Sequence, residues 1–553
     1  MPVSITRWAR KFSNRYLLFI PIWHVYLLLA HKMGSFPIYS SAFRLEMPIL
    51  LGIYWYLNRV LRENWMQPFI AAIPIFSFYA IYDAYYFAFS QTFKLAAIHE
   101  LPALFLALPI YYGLALVILG LIPITVFIAA IDWQKRFQAI TIGISCLSLF
   151  VASLHVYPQT FIEALKFLSS PEVECSEYEN AGKNGRLVTL LLREAERQQA
   201  LRKLKTYKND PEYIRQANEV ATFIASNNNG HSVHLLILES LLDPSLFNKL
   251  KLSRDPYSAE FRKIFGERIG FSISPVFGGG TSQAEFEALC GVPAYQEYGK
   301  IEFNLLKGNH VGCLPDILHQ SGYRTLASHP CTPQMFNLLR AYPALGFSES
   351  YFPKEYYGGE TYLSVAKASP VEGALFDGDF FDQTLQFLGD THAPIFNYML
   401  GLYGHYPSSL DSALRPVVIG TDSHDTRLND VVNQFYYRTG AIADIIGKLS
   451  KKPCLIIVTG DHLPALAHGM QSYSELQYLP SAKDPIHTTR IFIMRDGKPI
   501  VYPLIHHYDI PNIILDYVTD GKYCRHWPCT HRNIAQNDAA MMSRYRHILA
   551  EGI

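Results

Sequence analysis

The sequence has almost no excess charge of either sign. Its 48 lysines and arginines nearly balance its 47 aspartates and glutamates, for a formal net charge of +1 at pH 7. A protein that binds nucleic acid through its phosphates carries a clear basic surplus, so we expect no nucleic-acid partner. The chain also lacks internal repeats, low-complexity tracts and zinc-finger cysteine spacing, which excludes solenoids and small zinc modules. Its 553 residues are 50% hydrophobic, and this apolar content is distributed unevenly.

The front of the chain carries most of the apolar excess. Five apolar runs alternate there with short polar turns and approach the length of a bilayer span: residues 16–30, 47–57, 68–89, 109–131 and 137–156. We therefore predict about five transmembrane helices within residues 1–157. The first run leads into further spans without a small-residue cleavage site, so we do not expect a cleavable signal peptide. Asp83, inside the third run, is either a functional group or a buried hydrogen-bonded partner.

Positive charge predicts the orientation of these spans. With the amino terminus in the cytoplasm, eight basic residues lie inside and three lie in the outside loops. The inside set is Arg7, Arg10, Lys11, Arg15, Arg59, Arg62, Lys135 and Arg136, and the outside set is Lys32, Arg44 and Lys94. An odd number of spans then places everything after about residue 157 outside the cytoplasm.

Residues 158–230 have the composition of a juxtamembrane connector. The segment 187–205 mixes leucines with five basic residues, which fits either an amphipathic helix on lipid headgroups or a helix packed on the soluble domain. The Asn-Asn-Asn-Gly run at 227–230 then marks a boundary. Residues 231–553 remain, enough for one large α/β domain.

Seven of the eight cysteines fall in the predicted extracytoplasmic part, where disulfides form. Cys524 and Cys529 can close a small loop, and Cys290 and Cys313 flank a loop after residues 278–287. We expect these two pairs, with at least one thiol left free. The others are Cys146 in the last predicted span and Cys175, Cys331 and Cys454.

Four short apolar runs in the last part are predicted to be buried β-strands, and each runs into an acidic or histidine side chain. They are residues 233–238 before Glu239, 323–328 before His329, 395–404 before His405, and 455–460 before Asp461 and His462. In an open α/β sheet, ligands bind beyond the carboxyl ends of parallel strands. One such ending could be an ordinary turn, but four with metal-ligand chemistry predict that these side chains converge in one crevice.

A glycine-rich segment supplies a hydroxyl group. Three successive glycines at 278–280 permit a tight turn, and the helix-forming residues after them put Thr281 at or near a helix N-terminus, where negative charge is favoured. The simpler alternative is that Thr281 or Ser282 only caps the helix, with Glu285 completing a capping box. The two roles are compatible.

These residue types suit a metal-dependent site. Two carboxylates and a neutral imidazole, from Glu239, Asp461 and His462, are suitable ligands for a divalent transition metal. A hydroxyl beside that metal becomes a usable nucleophile near neutral pH, and Thr281 supplies it. Such a site suits attack on phosphorus or sulfur. The two remaining strand-end histidines are either donors to the transferred group or hydrogen-bonding residues of the fold.

Four motifs carry a family resemblance. The sequences LILES at 236–240, GGGTSQAEFEALCG at 278–291, GLYGHYP at 401–407 and TGDHLPAL at 459–466 are similar to those of sulfatase-like phosphotransferases of the alkaline phosphatase superfamily. The branch that they resemble contains lipoteichoic acid synthases and periplasmic-glucan phosphoglycerol transferases. The match covers residues 231 to about 520, and the helical front of the chain also resembles that family. The resemblance implies an N-terminal transmembrane helix bundle and a C-terminal alkaline-phosphatase-like α/β domain, residues 231–553, with a mostly parallel sheet.

The resemblance also implies roles for residues. It makes Thr281 the covalently modified nucleophile, and Glu239, Asp461 and His462 the ligands that bind a metal with it. The metal is expected to be Mn²⁺, with Zn²⁺ or Mg²⁺ as alternatives. The residues expected around the substrate are His405, at the transferred phosphate, and His329, Arg340 and Ser282. The family location is the bacterial cytoplasmic membrane, with the catalytic domain in the periplasm.

One motif departs from the family pattern. Family members often carry an aromatic-Asn-Arg run before a Tyr-x-x-Leu-Gly segment, and the aligned residues here are Phe336, Asn337 and Leu338 ahead of residues 342–346. The expected arginine is missing, and Arg340 lies two places later. Without that arginine, the sequence does not identify the residue that recognises the headgroup.

Three classes of function remain. The first is transfer of phosphoglycerol from phosphatidylglycerol, or of phosphoethanolamine from phosphatidylethanolamine, to an extracytoplasmic glycan or lipid-linked acceptor; the sequence around Thr281 resembles the glycerol branch. The second is a sulfatase or phosphatase, although residues 331–335 read Cys-Thr-Pro-Gln-Met and lack the arginine of the C-x-P-x-R context of formylglycine. The third is an inactive scaffold, against which the complete ligand set argues.

Overall fold

The computed structural model describes residues 18–89, 92–100, 114, 117–171, 177–298, 301–331, 333, 337–353, 369, 371–389, 393–406, 408–529, 531 and 538–553. The chain divides into two compact units, residues 1–203 with 297–300, and residues 204–296 with 301–553. The predicted connector, residues 158–230, is therefore shared between the two units.

The first unit is helical. Its helices are α1 (Leu18–Lys32), α2 (Glu46–Val60), α3 (Gln67–Phe89), α4 (Ile122–Ala130), α5 (Phe137–Val156), α6 (Pro158–Leu168), α7 (Glu177–Asn184) and α8 (Arg186–Leu204). Each predicted apolar run overlaps one of α1 to α5, although α4 covers only 122–130 of the fourth run, and residues 16, 17, 109–113, 115 and 116 lie outside the described residues. Within the described residues, however, two helices are both long and apolar enough to cross a bilayer, Gln67–Phe87 and Phe137–Val156. The predicted bundle of five spans is thus supported in part. Arg7, Arg10, Lys11 and Arg15 of the orientation argument lie outside the described residues.

Asp83 is a buried hydrogen-bonded partner, which is one of the two roles that the sequence left open. Its carboxylate accepts hydrogen bonds from Tyr26 and Ser35, each at 2.7 Å. Arg186, the first residue of α8, pairs with it through Nε at 2.8 Å and Nη2 at 3.2 Å. Both side chains of this ion pair are almost completely buried. The pair therefore ties α8 to α3 inside the first unit.

Glu46 holds the start of α8 in a second way. Its carboxylate accepts hydrogen bonds from the backbone N–H groups of Leu187 at 3.0 Å and Val188 at 2.9 Å, and from the hydroxyl of Tyr79. A carboxylate at a helix N-terminus satisfies free N–H groups and the helix dipole. Gly185 makes the approach possible, because a Cβ there would lie 2.3 Å from the Glu46 carboxyl carbon and its φ is +90°. The basic segment 187–205 thus begins with a buried, capped end.

The apolar side of α8 also packs within the first unit. Val188, Leu192 and Ala195 are buried against Leu154 of α5 and Ile162 of α6. On its other side, Arg197 pairs with Glu194 and Arg193 with Glu196. The helix is amphipathic as predicted, and its apolar residues contact the helices that precede it in the chain.

The second unit is built on a single sheet. Its strands are β1 (Ser232–Leu238), β2 (Gly270–Ile273), β3 (Arg324–Ser328), β4 (Glu349–Tyr351), β5 (Ile395–Gly401), β6 (Cys454–Gly460), β7 (Thr488–Arg495), β8 (Lys498–Ile500) and β9 (Leu504–His506). Among the described residues they form a nine-stranded sheet in the order β4-β3-β5-β1-β6-β7-β2-β9, with β8 paired to β7. All pairs from β4 to β6 are parallel, and β7 is antiparallel to both β6 and β2. The predicted mostly parallel α/β domain is confirmed.

Helices cover both faces of this sheet. They are α9 (Pro211–Asn227), α10 (Ala259–Phe265), α11 (Thr281–Cys290), α12 (Leu314–Gln320), α13 (Leu338–Leu345), α14 (Asp377–Leu388), α15 (Thr426–Leu449), α16 (Met470–Glu475), α17 (Ile510–Val518), α18 (Tyr523–His526) and α19 (Asp538–Gly552). Met399 of β5 shares a core with Phe435 of α15, whereas the hydroxyl of Tyr398 reaches Glu285 of α11 at 2.8 Å. Because successive strand residues point to opposite faces, α11 and α15 cover different sides of the sheet.

Two disulfides close loops of the second unit. Cys290 pairs with Cys313 and Cys524 with Cys529, as predicted. Cys331 and Cys454 are buried free thiols, Cys146 is an exposed one, and Cys175 lies outside the described residues.

We predict that the Asp83–Arg186 pair stabilises the first unit. Replacing Arg186 by Met leaves a buried carboxylate without its cation, and breaking a buried pair in this way costs about 3–5 kcal/mol. The double variant Asp83→Asn/Arg186→Met should lose less free energy of unfolding than the sum of the losses of the two single variants. Unfolding of the full chain in detergent measures these losses.

The control is Lys166→Met, which breaks the partly exposed Lys166–Glu196 pair at 2.9 Å. Exposed pairs contribute roughly 0–1 kcal/mol, so this variant should unfold close to wild type. Equal losses of unfolding free energy for Arg186→Met and Lys166→Met would show that the buried pair contributes no more to stability than the exposed one.

Candidate active site

The predicted crevice lies where four neighbouring parallel strands end. The order β3-β5-β1-β6 places the ends of these strands side by side. Glu239 follows β1 directly, His329 follows β3, and Asp461 and His462 follow β6. Strand β5 ends earlier than predicted, at Gly401 rather than at residue 404, so that His405 comes after a short turn. The common edge of the sheet therefore brings together residues that are far apart in the sequence.

Backbone pairing aligns the two acidic residues. In the parallel register, Leu238 lies opposite both Gly401 and Gly460. Beyond it, the N–H of Glu239 donates to the Gly401 carbonyl at 2.9 Å, and the N–H of Asp461 donates to the Leu238 carbonyl at 3.1 Å. The ladder thus carries Glu239 and Asp461 out of the sheet next to each other.

Thr281 is the first residue of α11. The three glycines before it have φ values of +68°, +147° and +91°, a conformation that non-glycine residues rarely adopt. Thr281 is buried, and its hydroxyl donates to Glu239 Oε2 at 2.9 Å. The glycine turn thus delivers a hydroxyl to the carboxylate at the end of β1.

The predicted capping box is not formed. Gly280 is the N-cap of α11, so no side chain caps this helix. Glu285 instead accepts hydrogen bonds from the hydroxyls of Tyr342 at 3.0 Å and Tyr398 at 2.8 Å. Packing of α11 against the sheet turns Glu285 away from the helix end, which sequence spacing could not reveal.

Glu239, Asp461 and His462 form a compact group of donors. Their nearest ligand atoms all lie within 4.8 Å of one another, with His462 Nε2 at 3.5 Å from Glu239 Oε1 and 3.2 Å from Asp461 Oδ2. His462 Nδ1 lies 3.0 Å from the Leu463 carbonyl, so Nδ1–H donates there and the Nε2 lone pair stays available. Asp461 Oδ1 accepts from the N–H groups of Ser240 and His462, at 2.7 and 2.6 Å. These hydrogen bonds leave Asp461 Oδ2 and His462 Nε2 for a cation, whereas Glu239 accepts from the Ser240 hydroxyl through Oε1 at 2.7 Å and from Thr281 through Oε2.

The electrostatics of this group also suit a cation. Asp461 Oδ2 and His462 Nε2 are buried and have no hydrogen-bond partner within the described residues. Burial, together with the adjacent charge of Glu239, raises the pKa of Asp461 above its usual range. Two buried carboxylates this close repel each other unless a proton or a metal ion lies between them. The residues present therefore fit a divalent metal, with two carboxylates, one imidazole and the Thr281 hydroxyl as ligands.

Arg438 of α15 belongs to the site although no motif reveals it. Its side chain is buried, with Nε donating to Asp377 Oδ2 at 2.7 Å and Nη1 donating to the backbone carbonyl of Glu239 at 2.8 Å. Gly404 leaves the room for this contact, since a Cβ there would lie 2.2 Å from that carbonyl oxygen. An arginine on the apolar face of an amphipathic helix, at helical spacing from Phe435 and Ile442, is the signal that could have indicated it.

Three of the four residues predicted to surround the substrate are His405, His329 and Ser282. His405 is half-buried, and its Nδ1 lies 2.9 Å from the Tyr406 carbonyl. His329 is buried, and burial lowers its pKa to about 3, so that the imidazole is neutral at physiological pH. In the described part of the chain, His329 Nδ1 and Ser282 Oγ are buried without a hydrogen-bond partner. Such atoms are expected where a ligand or water completes the hydrogen bonding.

Arg340 is placed differently. It lies on α13 with an exposed side chain, and no hydrogen bond or ion pair joins it to any residue that the structure describes. Asn337, in the aligned motif, donates to the carbonyls of Phe303 and Leu306, each at 2.8 Å, and so holds a loop. Phe336 lies outside the described residues. The structure offers no contact between Arg340 and the metal-ligand group.

Comparison with known proteins gives a family match over this unit. A sequence profile described as Sulfatase matches residues 232–518. A putative cyclic beta-1,2-glucan modification protein of Rhizobium meliloti is 28% identical over 247 residues, which cover 42% of this chain and 36% of that protein. The lipoteichoic acid synthase of Staphylococcus aureus strain USA300 is 24% identical over 252 residues, covering 43% and 36%. The chain thus spans about a third of the length of these curated relatives.

A solved structure also aligns with the chain. It is the Streptococcus pyogenes phosphoglycerol transferase GacH in complex with sn-glycerol-1-phosphate, at 20% identity and a TM-score of 0.47. The alignment covers 61% of this chain and 91% of that one.

We predict that Glu285 makes stability depend on pH. Burial raises the pKa of this carboxyl to about 8, whereas an unfolded glutamate titrates near 4.3. Because the folded pKa is the higher one, its contribution to stability is complete below about pH 4.3 and is lost as the pH rises through about 8. Glu285→Gln keeps an oxygen for the two tyrosine hydroxyls and cannot ionise. The melting temperature of this variant should rise relative to wild type between pH 5 and pH 8.

Glu260→Gln, at an exposed glutamate on α10, is the control and should follow wild type at every pH. A Glu285→Gln protein whose melting curve also follows wild type throughout would show that Glu285 is ionised in the folded state.

Proposed function

Because the chain belongs to the sulfatase family, we propose that it is a membrane-anchored phosphotransferase that moves a phosphoglycerol headgroup from phosphatidylglycerol to an extracytoplasmic glycan or related acceptor. The observation that carries the proposal is the hydroxyl of Thr281, which donates at 2.9 Å to Glu239 within the buried group of Glu239, Asp461 and His462. A nucleophile needs such a neighbour to take its proton. The match to the family over residues 232–518 contains all four residues.

Glu239, Asp461, His462 and Thr281 would hold one divalent metal ion, for which we propose Mn²⁺, with Zn²⁺ and Mg²⁺ as alternatives. Mixed carboxylate and imidazole ligands suit transition metals. The bound ion supplies charge stabilisation to the transferred group and lowers the pKa of the hydroxyl beside it. Arg438 donates to the Glu239 carbonyl and so positions this ligand.

In the first half-reaction, Thr281 Oγ attacks the phosphorus of the lipid phosphodiester. The hydroxyl proton is directed at Glu239 Oε2, which can take it. The bond from Thr281 Oγ to phosphorus forms, the bond from phosphorus to the diacylglycerol oxygen breaks, and that oxygen takes up a proton from solvent. The product is diacylglycerol and a phosphoglycerol group covalently attached to Thr281.

In the second half-reaction, an acceptor hydroxyl attacks the same phosphorus. Its new bond to phosphorus forms, its proton passes to solvent, the bond to Thr281 Oγ breaks, and Oγ regains the proton that Glu239 took in the first half-reaction. We assign half-buried His405 to the contact with the transferred phosphate, and the 2.9 Å approach of its Nδ1 to the Tyr406 carbonyl fixes the ring. Neutral His329 and buried Ser282 have polar atoms without partners among the described residues, and we assign them to the substrate pocket.

The choice of glycerol and of a glycan acceptor rests on the relatives. One relative is named as a glucan modification protein and another as a lipoteichoic acid synthase. Since the expected motif arginine is missing and Arg340 is exposed, headgroup selectivity should depend on the residues around His405 and His329.

We propose the membrane arrangement that the sequence predicts, with five spans in residues 1–157, a connector at 158–230 and a periplasmic catalytic domain at 231–553. The turns that follow α2 and α4 are joined by a bridge between Leu61 and Ile131 and by the Arg136–Glu63 pair at 3.0 Å. Exposed tryptophans in both turns, at 65 and 133, suit a membrane interface. The two disulfides of the second unit suit an oxidising compartment.

We predict that Thr281→Ala abolishes headgroup release. Loss of a nucleophile in a site that acts as a unit should lower turnover at least about a thousandfold. Diacylglycerol formed from fluorescent phosphatidylglycerol measures turnover, and mass spectrometry of the wild-type protein tests for a phosphoglycerol adduct on Thr281. Thr281→Ser is the matched control, which keeps a hydroxyl and should retain much more activity than Thr281→Ala. Turnover by Thr281→Ala within several-fold of wild type would exclude Thr281 as the nucleophile.

A second prediction concerns the donor. Purified full-length protein with Mn²⁺ should form diacylglycerol from phosphatidylglycerol faster than from phosphatidylethanolamine, because the motif around Thr281 resembles that of the glycerol branch. Preference for the ethanolamine lipid would replace the glycerol assignment and keep the mechanism. Release from neither lipid, with rapid cleavage of soluble sulfate or phosphate esters, would favour a hydrolase.

A further inference from the structure

A second cavity lies in the catalytic unit, away from Thr281. Its volume is about 800 Å³, and residues of α9 and α19 line it together with Gly291 and Val292, which follow α11. Thr281 begins the ten-residue helix α11 and Gly291 comes directly after its end. A helix rises about 1.5 Å per residue, so the nucleophile and this side of the cavity are about 15 Å apart. A single headgroup cannot contact both places.

The charges in this cavity leave one cation without a partner. Glu212 and Glu219 both pair with Arg215, at 2.8 and 3.3 Å. Asp210 pairs with His547 at 2.9 Å. Arg544, half-buried on α19, makes no hydrogen bond or ion pair with any described residue. Glu212 and Glu219 thus share one guanidinium and Asp210 contacts a histidine, whereas the guanidinium of Arg544 is left without a partner among the described residues and is available to an anion.

Rigid aromatic side chains line the same cavity. The ring of Tyr213 is stacked on His547 with centroids 4.8 Å apart, and its hydroxyl donates to the Val311 carbonyl at 3.0 Å. Tyr523 and Trp527 are stacked at 5.2 Å. These contacts hold the rings in place before a ligand binds, which lowers the entropy lost on binding.

This combination of groups indicates the chemistry of a ligand. A guanidinium binds phosphate through two parallel hydrogen bonds, and aromatic rings pack against the apolar faces of polyols and sugars. A cavity of about 800 Å³ is of the size that takes an extended ligand rather than one small ion. The chemistry therefore fits a sugar or polyol segment that carries phosphate.

We propose that this cavity is an accessory site for the acceptor, in which Arg544 binds a phosphate group on a phosphoglycerol-bearing glycan. The inference rests on the proposed function, which makes such glycans the product of the site at Thr281. A glycan that already carries phosphoglycerol would be held here while another of its hydroxyls is free to reach the phosphorus of the group attached to Thr281. The same phosphate chemistry occurs in the headgroup of phosphatidylglycerol, and the experiment separates these two sources.

The experiment measures binding to the full chain in detergent by calorimetry. Thr281→Ala is used as the background so that no ligand is consumed. The probes are a glucan oligosaccharide bearing phosphoglycerol, the same oligosaccharide without it, and phosphatidylglycerol in mixed micelles. Adding Arg544→Ala should weaken binding of the substituted glucan at least about tenfold, because a charged hydrogen-bonding group is lost. Binding of the unsubstituted glucan should change much less.

Two further variants make the test decisive. Arg268→Ala removes an exposed arginine elsewhere in the same unit and should bind the substituted glucan like the background protein. Ala217→Trp fills the cavity from α9 and should weaken binding even if Arg544→Ala folds poorly. Unchanged glucan binding in both Arg544→Ala and Ala217→Trp would overturn the proposal. Loss of phosphatidylglycerol binding instead would also overturn it and assign the cavity to the donor. Headgroup release by wild type without acceptor tests the proposed function separately.

Discussion

The close approach of two buried carboxylates is the constraint on which the rest of the site depends. Parallel pairing of β1 with both β5 and β6 puts Glu239 and Asp461 at adjacent strand ends, with His462 Nε2 within 3.5 Å of both. Like charges in a low-dielectric interior raise the free energy of the folded state unless a cation compensates them. A fold that holds this arrangement is therefore prepared for a metal ion, and the Thr281 hydroxyl is placed where that ion would act on it.

Holding that arrangement requires support from residues without chemical roles. Arg438 spans from Asp377 to the Glu239 carbonyl and so prevents the end of β1 from relaxing away from its neighbour. Small residues are needed around it, since a Cβ on Gly460 would lie 2.5 Å from the Thr489 hydroxyl, and Gly404 has a similar limit. The glycines in the GLYGHYP and TGDHLPAL motifs thus have a packing reason rather than a conformational one, since their φ values are not left-handed. Site geometry and core packing cannot be changed independently here.

The first unit uses buried charge for a different purpose. Glu46 caps the start of α8, and Asp83 binds Arg186 at the same end, so one helix satisfies two buried acidic groups. In an apolar setting, such groups are tolerated only when paired. Asp83 therefore anchors the segment that leads out of the helical unit, and the pairing gives it a structural role.

The sequence by itself determined the local features of this protein. Apolar runs determined the helices of the first unit and the buried strands, strand-end chemistry indicated Glu239, His329, Asp461 and His462, and the glycine run located Thr281 at a helix start. These are properties of short segments, so period, composition and spacing reveal them. Only the tertiary structure decided which strands are neighbours, that Glu285 binds two tyrosines instead of capping α11, and that Arg438 supports Glu239. It also decided that Arg340 is exposed, and that Arg544 lies in a cavity without a hydrogen-bond or ion-pair partner among the described residues. These outcomes depend on contacts between residues far apart in the chain. A pattern within a short segment carries no information about the energies of such contacts.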